Sequence, residues 1–374
     1  MKFLHLSDLH IGRRLGGISL MEDQLDALNQ ALEMASGCDA VLLAGDLYDK
    51  AQPTAEAIRA ASGFLVALSR LEKPVFAISG NHDAPEQVAY CHELLGRCGV
   101  FMSPAFNGAP VRRTLCDEYG EVNVWLLPFI RPASVRPFHP DVHGYEDAVR
   151  AALSAANLDP AARNVLVAHQ FVAGASVCES ETRLVGGLDQ VSADVFDAFD
   201  YVALGHLHSP QRLLGGRARY CGSPLKYSLS EEHQRKAALT VTLGAKGELS
   251  VEELPFRPLR DLRTARGPLA DIADEALYSE DYVYAVLTDE EAPVDPLGTL
   301  RLTYPNLIGM RVHNSRTNDE AVLAESEAVE ARTPLEHFAT FYAAQNNRQE
   351  PDGRRMALMR AVIEEAEARQ HEAG

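Results

Sequence analysis

A chain of 374 residues and 40.8 kDa is too long for one small module and predicts one large domain with additions, or two to three domains. Its 46% hydrophobic content is enough for a sizeable core and excludes a wholly disordered chain. The 53 acidic and 35 basic residues give a formal charge of −18, which favours solubility and counts against broad non-specific nucleic-acid binding. No apolar run reaches the roughly 18 residues of a membrane-spanning helix. The opening MKFLHLSDLH is interrupted by His5, Asp8 and His10 and does not read as a signal peptide. Cys38, Cys91, Cys98, Cys116, Cys178 and Cys221 form no C-x-x-C pair. Neither a disulfide framework nor a thiolate zinc site is expected, and a reduced, cytoplasmic protein is.

Short apolar, β-branched runs recur along the chain, each followed by a polar cluster. Residues 2–6 lead into Ser7-Asp8-Leu9-His10, and 40–44 into Gly45-Asp46-Leu47-Tyr48-Asp49. Residues 74–79 lead into Gly80-Asn81-His82-Asp83, 164–168 into His169-Gln170, and 201–204 into Gly205-His206-Leu207-His208. All five read as buried strands. Helical patterns separate the first three, one over 20–35 with apolar Leu25, Leu28 and Leu32, the other over 54–71. This alternation predicts βαβ units and a mainly parallel sheet. Runs at 122–127, 218–221, 237–243 and 249–254 lack intervening helices and predict a second, more antiparallel sheet.

After about residue 256 a small α/β unit is expected, with strands near 282–287 and 308–312 and helices near 269–277 and 295–303. Residues 315–333 are polar and acidic and read as a linker or solvated helix. Thr333, Pro334 and Glu336 then suit the N-cap, N1 and N3 positions of a helix with apolar Leu335, Phe338, Phe341 and Tyr342. A second helical segment over 354–369 carries Met356, Leu358, Met359, Val362 and Ile363. Both stripes are too short for a core of their own, so they either pack on the body or dock on a partner.

Taken singly, the polar clusters are weak signals. A Gly-Asp or Gly-Asn-His after a strand is more often a turn than a site. Together they are specific, because strand carboxyl ends converge on one rim of an α/β sheet, where ligands bind. Asp8, His10, Asp46, Asn81, His169, His206 and His208 can meet there. Carboxylate, imidazole and amide oxygen without thiolate suit Mn²⁺, Mg²⁺, Fe²⁺ or Zn²⁺. Seven ligands are too many for one catalytic ion with open positions and suit two ions sharing a bridging carboxylate, the arrangement used for in-line phosphoryl displacement. Gly45, Gly80 and Gly205 precede ligands and are expected to permit tight turns. His5, in mid-strand, reads as a core histidine, and Trp125 as a core tryptophan.

The pattern D-x-H, GD-x-x-D, GNHD, H, GH-x-H resembles the calcineurin-like metallophosphoesterases. The words HLSDLHIG, AGDLYD, ISGNHD, ALGHLH and RYCGSP narrow the likeness to the SbcD-type nuclease subunits of bacterial SbcC–SbcD DNA repair complexes. The resemblance covers residues 1–255. It implies a four-layer α/β/β/α sandwich over 1–255, a small α/β capping domain over 256–318 and C-terminal helices over 319–374 that bind the partner. Asp8, His10 and His208 would hold one metal, Asn81, His169 and His206 the other, and Asp46 would bridge. His82 would be the general acid, oriented by Asp49. Arg13, Arg14 and Lys226 are weaker candidates for DNA contacts, and ordinary solvated roles fit the two arginines equally well. The resemblance further implies two Mn²⁺ ions, DNA as substrate with 3′→5′ exonuclease and single-strand or hairpin endonuclease activity, a homodimer of nuclease subunits, and an SbcC-type ATPase partner in a heterotetramer. No G-x-x-x-x-G-K-[ST] motif is present, so ATP hydrolysis would belong to that partner. A stand-alone exonuclease, another enzyme of the superfamily such as a phosphatase or nucleotide phosphodiesterase, and a non-enzymatic scaffold remain as alternatives. Half of the negative charge falls in residues 256–374, with 22 acidic and 13 basic side chains, away from the expected centre. The charge therefore does not exclude DNA, but it predicts weak binding by the isolated subunit at physiological salt.

Overall fold

The runs of Val, Leu, Ile and Ala that flank the polar clusters are buried on both faces, as strands covered on two sides must be. The computed structural model describes residues 1–176, 181, 190–291 and 293–314, then 335, 338, 339, 341, 342, 350–360 and 362. The chain divides into two units, Met1–Val286 with Val294–Arg311, and Leu287–Pro293 with Val312–Gly374. Residues 256–286 and 294–311 thus belong to the same unit as residues 1–255.

The first unit is built on two six-stranded sheets. The strands are β1 (Lys2–Leu6), β2 (Ala40–Ala44), β3 (Val75–Ile78), β4 (Val100–Met102), β5 (Val111–Asp117), β6 (Gly120–Leu127), β7 (Arg163–His169), β8 (Tyr201–Gly205), β9 (Gln211–Leu213), β10 (Ala218–Tyr220), β11 (Ala237–Leu243) and β12 (Leu249–Pro255). One sheet runs β12-β11-β1-β2-β3-β4, the other β9-β10-β8-β7-β6-β5. Helices α1 (Met21–Ser36) and α2 (Ala55–Ser69) cover the first sheet, and α3 (Tyr145–Ser154) the second. Phe3, Leu42, Phe76, Val124, Val167 and Tyr201 pack between the sheets. The layers are therefore α/β/β/α, as expected.

The grouping of strands differs from the expectation. β7 and β8 lie in the second sheet beside β6, whereas β11 and β12 extend the first sheet antiparallel to β1. The first sheet is antiparallel from β12 to β1 and parallel from β1 to β4, and the second is parallel in the middle and antiparallel at both edges, so neither is the parallel or the antiparallel one. A continuous apolar run reports burial on two faces and carries nothing about which sheet receives it. Helix α1 turns Met21, Gln24, Leu28, Ala31 and Ala35 inward and leaves Leu25 exposed, so its buried stripe is displaced from the one Leu25, Leu28 and Leu32 suggested. Thr54 caps α2, its Oγ1 accepting from the Ala57 N–H at 3.2 Å, a contact typically worth about 1 kcal/mol.

A three-stranded sheet follows, β13 (Leu262–Gly267), β14 (Tyr282–Leu287) and β15 (Leu307–Val312), with β14 central and helix α4 (Pro296–Thr303) between β14 and β15. The two expected strands are there, and β13 is an addition. In the second unit, residues 353–360 are helical, and Arg355 lies 5.5 Å from the Tyr342 ring centroid. The expected linker over 315–333, the cap residues Thr333, Pro334 and Glu336, and Ile363 with the rest of the second helical segment to 369 lie outside the described residues. No helix among the described residues is long and apolar enough to cross a membrane.

Candidate metal centre

The strand ends that carry the polar clusters come from both sheets. β1, β2 and β3 deliver Asp8 and His10, Asp46 and Asp49, and Asn81 and His82. β7 ends on His169, and His206 and His208 follow β8. The crossing is close. A Cβ on Gly205 would lie 1.9 Å from the Ala44 carbonyl oxygen, and one on Gly80 would lie 2.1 Å from Asp46 Oδ1. Gly45 alone of the three glycines has a positive φ, +88°; the other two are required by close approach and not by a turn. Four site residues take left-handed backbone, Asp8 at φ 53°, His10 at 43°, Asp46 at 50° and His206 at 106°. Such backbone in non-glycine residues costs on the order of 1–3 kcal/mol each and is characteristic of functional sites.

All seven proposed ligands are brought together. Asp8, His10 and His208 present ligand atoms within 4.8 Å of one another, and so do Asp8, Asp46 and His169. Asp46 Oδ2 is 3.6 Å from His10 Nε2 and 3.4 Å from His169 Nε2, so one carboxylate oxygen faces both groups. Asn81 Oδ1 is 2.9 Å from both His169 Nε2 and His206 Nδ1. Asp8 accepts the His206 main-chain N–H, tying the β1 end to the β8 end.

The donors fit cations on a specific ground. His169 Nδ1 donates to the Ala44 carbonyl at 2.8 Å, which leaves Nε2 as the bare nitrogen of the neutral ring. That nitrogen faces two oxygens, Asn81 Oδ1 and Asp46 Oδ2, and the contact is repulsive unless a proton or a cation lies between. His10 Nε2 and His208 Nε2 face each other at 3.1 Å with the same demand. The charges agree. Burial lowers His169, but Asp46 and Asp8 outweigh it and raise the imidazole to about 9. Burial pushes the Asp8 carboxyl up to about 7. It acts on Asp46 in the same direction, yet the neighbouring His169, His10 and His82 hold that carboxyl well below the usual range. Burial also keeps His10, His206 and His208 below the ordinary imidazole value, His206 at about 3, so they present neutral nitrogens as metal ligands must.

His82 lies beside this set, its ring centroid 4.8 Å from that of His10 and its main-chain N–H donating to Asp46 Oδ1 at 2.8 Å. The expected Asp49 carboxylate–His82 dyad is corrected by the structure. His82 Nδ1 donates to the main-chain carbonyl of Asp49 at 3.0 Å. The carboxylate instead takes Arg13 Nη1 at 2.8 Å, because Arg13 reaches it across the neighbouring loop. Arg14 is exposed and donates to the Gly17 carbonyl. Lys226 pairs with Asp261 at 2.8 Å and is largely buried, so its ammonium is already committed. Arg13, Arg14, Lys50 and Asp49 line an open groove of about 280 Å³.

Several residues that brace the site carry no motif. Asp83 accepts from the N–H groups of Leu47, Tyr48 and Gly80 and so joins the second and third loops. Buried Gln24 donates to the His10 carbonyl at 2.7 Å and accepts from Gly12 N–H at 2.9 Å. Tyr227 donates to the Leu9 carbonyl at 2.6 Å and sets its ring edge against His10 and His208. Asp83 adjoins His82 in the sequence but carries no sequence-level signal of this bracing role, and Gln24 and Tyr227 are brought there only by the folded chain.

This chain belongs to the calcineurin-like phosphoesterase family, whose model matches residues 1–210. Residues 255–346 match a second model, named for the SbcD C terminus and described as the type 5 capsule protein repressor C-terminal domain. Together the two matches support an SbcD-type nuclease, and they make the protein a metal-dependent phosphoester hydrolase. Among solved structures, the chain is similar to TT1561 of Thermus thermophilus, at 17% identity and a TM-score of 0.37, over 67% of this chain and 98% of that one. It is also similar to a dimetal phosphatase from Danio rerio, at 11% identity and a TM-score of 0.40, over 68% of this chain and 95% of that one.

Proposed function

We propose that the chain is a DNA nuclease subunit that uses two divalent ions, Mn²⁺ foremost, and acts with an SbcC-type ATPase in cytoplasmic DNA repair and recombination. One observation carries the reading. Seven convergent candidate ligands with His82 beside them, in a chain whose residues 255–346 match the SbcD C-terminal model, support it. Asp8, His10 and His208 would hold one ion, and Asn81, His169 and His206 the other, with Asp46 shared. Ions bound there would supply Lewis acidity for in-line displacement at a phosphodiester. The protein's own groups do the rest. With Nδ1–H given to the Asp49 carbonyl, His82 in its doubly protonated form would carry a second proton on Nε2, to be donated to the departing 3′ oxygen and leave the neutral ring. The groove lined by Arg13, Arg14 and Lys50 supplies cationic contacts for the phosphate backbone beside the centre.

Substrate polarity follows the family reading, 3′→5′ exonuclease on duplex ends and endonuclease on single strands or hairpins. Residues 256–318 would form the capping segment and 319–374 the partner-binding segment, with two nuclease subunits in the complex. The test is an assay of purified protein with Mn²⁺ on linear duplex DNA, on a hairpin and on a nucleoside monophosphate. Cleavage of both DNA substrates is expected. Monophosphate hydrolysis without DNA cleavage would overturn the nuclease reading. Co-purification with SbcC of chains with and without residues 319–374 tests the partner helices, and binding that survives the truncation removes that assignment.

A further inference from the structure

His208 is gripped from outside the ligand set by a buried ion pair that no motif announces. Glu231 is 0% exposed and Lys236 7% exposed. Glu231 Oε1 lies 3.5 Å from His208 Nδ1, and its Oε2 lies 2.5 Å from Lys236 Nζ. The same ammonium donates to the main-chain carbonyl of His208 at 2.8 Å and to Ser223 Oγ at 3.0 Å. Ser228 Oγ adds a hydrogen bond to Glu231 Oε1 at 3.0 Å. The ring and the backbone of one histidine are therefore held by two members of a single charged pair.

An ion pair taken out of water is a weak source of stability, because desolvation offsets most of the attraction. Cores replace such pairs with apolar side chains at little cost, so its presence beside a ligand has to be read against what it does to that ligand. Glu231 can only accept. Its position at Nδ1 selects the tautomer with the proton on Nδ1, and this points the bare Nε2 lone pair at His10 Nε2, 3.1 Å away, within the ligand set. A carboxylate behind a ligating imidazole fixes its tautomer and orientation and raises its basicity.

We propose that Glu231 and Lys236 are positioning residues: Glu231 sets the tautomer and ring direction of His208 for the metal, and Lys236 keeps Glu231 charged in place and anchors the His208 backbone. The proposal rests on the metal-centre reading above, and the experiment separates the two. Metal content and Mn²⁺ affinity are measured by calorimetry on the full chain after EDTA treatment, for wild type, Glu231→Gln and the neutral double variant Glu231→Gln with Lys236→Met. Thermal unfolding in EDTA monitors the fold of each. Nitrogen-15 chemical shifts of the His208 ring in the metal-free wild type report the tautomer directly and need no variant.

The expected result is a protonated Nδ1 and bare Nε2 in wild type, and a 10- to 100-fold loss of Mn²⁺ affinity at one of two sites in both variants, the usual effect of removing a ligand's outer partner. The double variant, with no lone buried charge, is expected to unfold within a few degrees of wild type while keeping the affinity loss. A wild-type His208 protonated at Nε2 overturns the proposal, as does a folded variant whose affinity stays within about twofold of wild type on the scale of that effect. Wild-type protein that binds no divalent ion sinks the metal-centre reading itself.

Discussion

His82 gives its Nδ1 proton to the main-chain carbonyl of Asp49 across 3.0 Å, while the carboxylate of the same residue belongs to Arg13. Orientation of the imidazole thus depends on the path of the loop and not on the charge of Asp49. Asp49→Asn is expected to keep kcat within about tenfold of wild type, whereas His82→Ala is expected to lose about 10²–10⁴-fold, the usual range for a positioned proton donor. Steady-state cleavage of labelled duplex DNA in Mn²⁺ checks both. Equal losses in the two variants would restore the carboxylate to the orienting role.

The position of Asp46 Oδ2 between His10 and His169 predicts an asymmetry among ligand variants. Asp46→Asn is expected to weaken binding at both metal positions, and His169→Asn at one only. Metal per chain after gel filtration of Mn²⁺-loaded protein distinguishes them. The same logic links metal to stability. Ions that bind only the folded chain add about 2.7 kcal/mol at a hundred times Kd, so EDTA should lower the unfolding midpoint and Mn²⁺ should restore it. Asp46→Asn retaining two ions would remove the bridging assignment.

A methyl group at residue 205 has no room, since its Cβ would lie 1.9 Å from the Ala44 carbonyl oxygen and 2.7 Å from His169 Nδ1. The obstacle is backbone and not the end of a flexible side chain. Gly205→Ala is therefore expected to cost at least the roughly 1–3 kcal/mol typical of overpacking and to disturb the hydrogen bond from His169 to Ala44. Urea unfolding measures the first effect and Mn²⁺ affinity the second. A variant with unchanged stability would show that the two sheets separate here at no cost.

Much of this centre was legible because its chemistry sits at strand ends, and strand ends are marked where an apolar run stops. Asp8, Asp46, Asn81, His169 and His206 each follow such a stop within a few residues or close the strand itself. The pairing of sheets was not legible. β2 and β7 read alike as buried runs, and only their partners, β1 and β3 for one and β6 and β8 for the other, separate them. Glu231 and Lys236 were hidden for a related reason. They lie more than twenty residues beyond His208 in a segment with a 3₁₀ turn and no apolar period, so nothing local ties them to the histidine they contact.

His5 shows the connection between core and site in a form that acid can probe. It is fully buried on β1 and reaches across to the second sheet, donating from Nε2 to the Leu204 carbonyl at 3.2 Å and accepting at Nδ1 from the Tyr201 hydroxyl at 2.9 Å. Leu204 stands two residues before His206, so this contact helps to hold the strand end that carries His206 and His208. Burial lowers the imidazole to about 3, with the Leu204 carbonyl acting weakly the other way. In the unfolded chain it titrates near 6.5. Between these values the unfolded state binds the extra proton, so stability falls as pH drops below about 6.5, by up to about 1.4 kcal/mol per pH unit from this group. Above that pH both states are neutral and the contribution is constant. His5→Gln can keep a donor and an acceptor but cannot titrate. Urea unfolding in EDTA from pH 7.5 to 4.5 is expected to give a flatter curve for the variant than for wild type, the two diverging only below about pH 6.5. Parallel curves would mean that His5 takes up its proton in the folded protein, and the link between the sheets would then have to be charged.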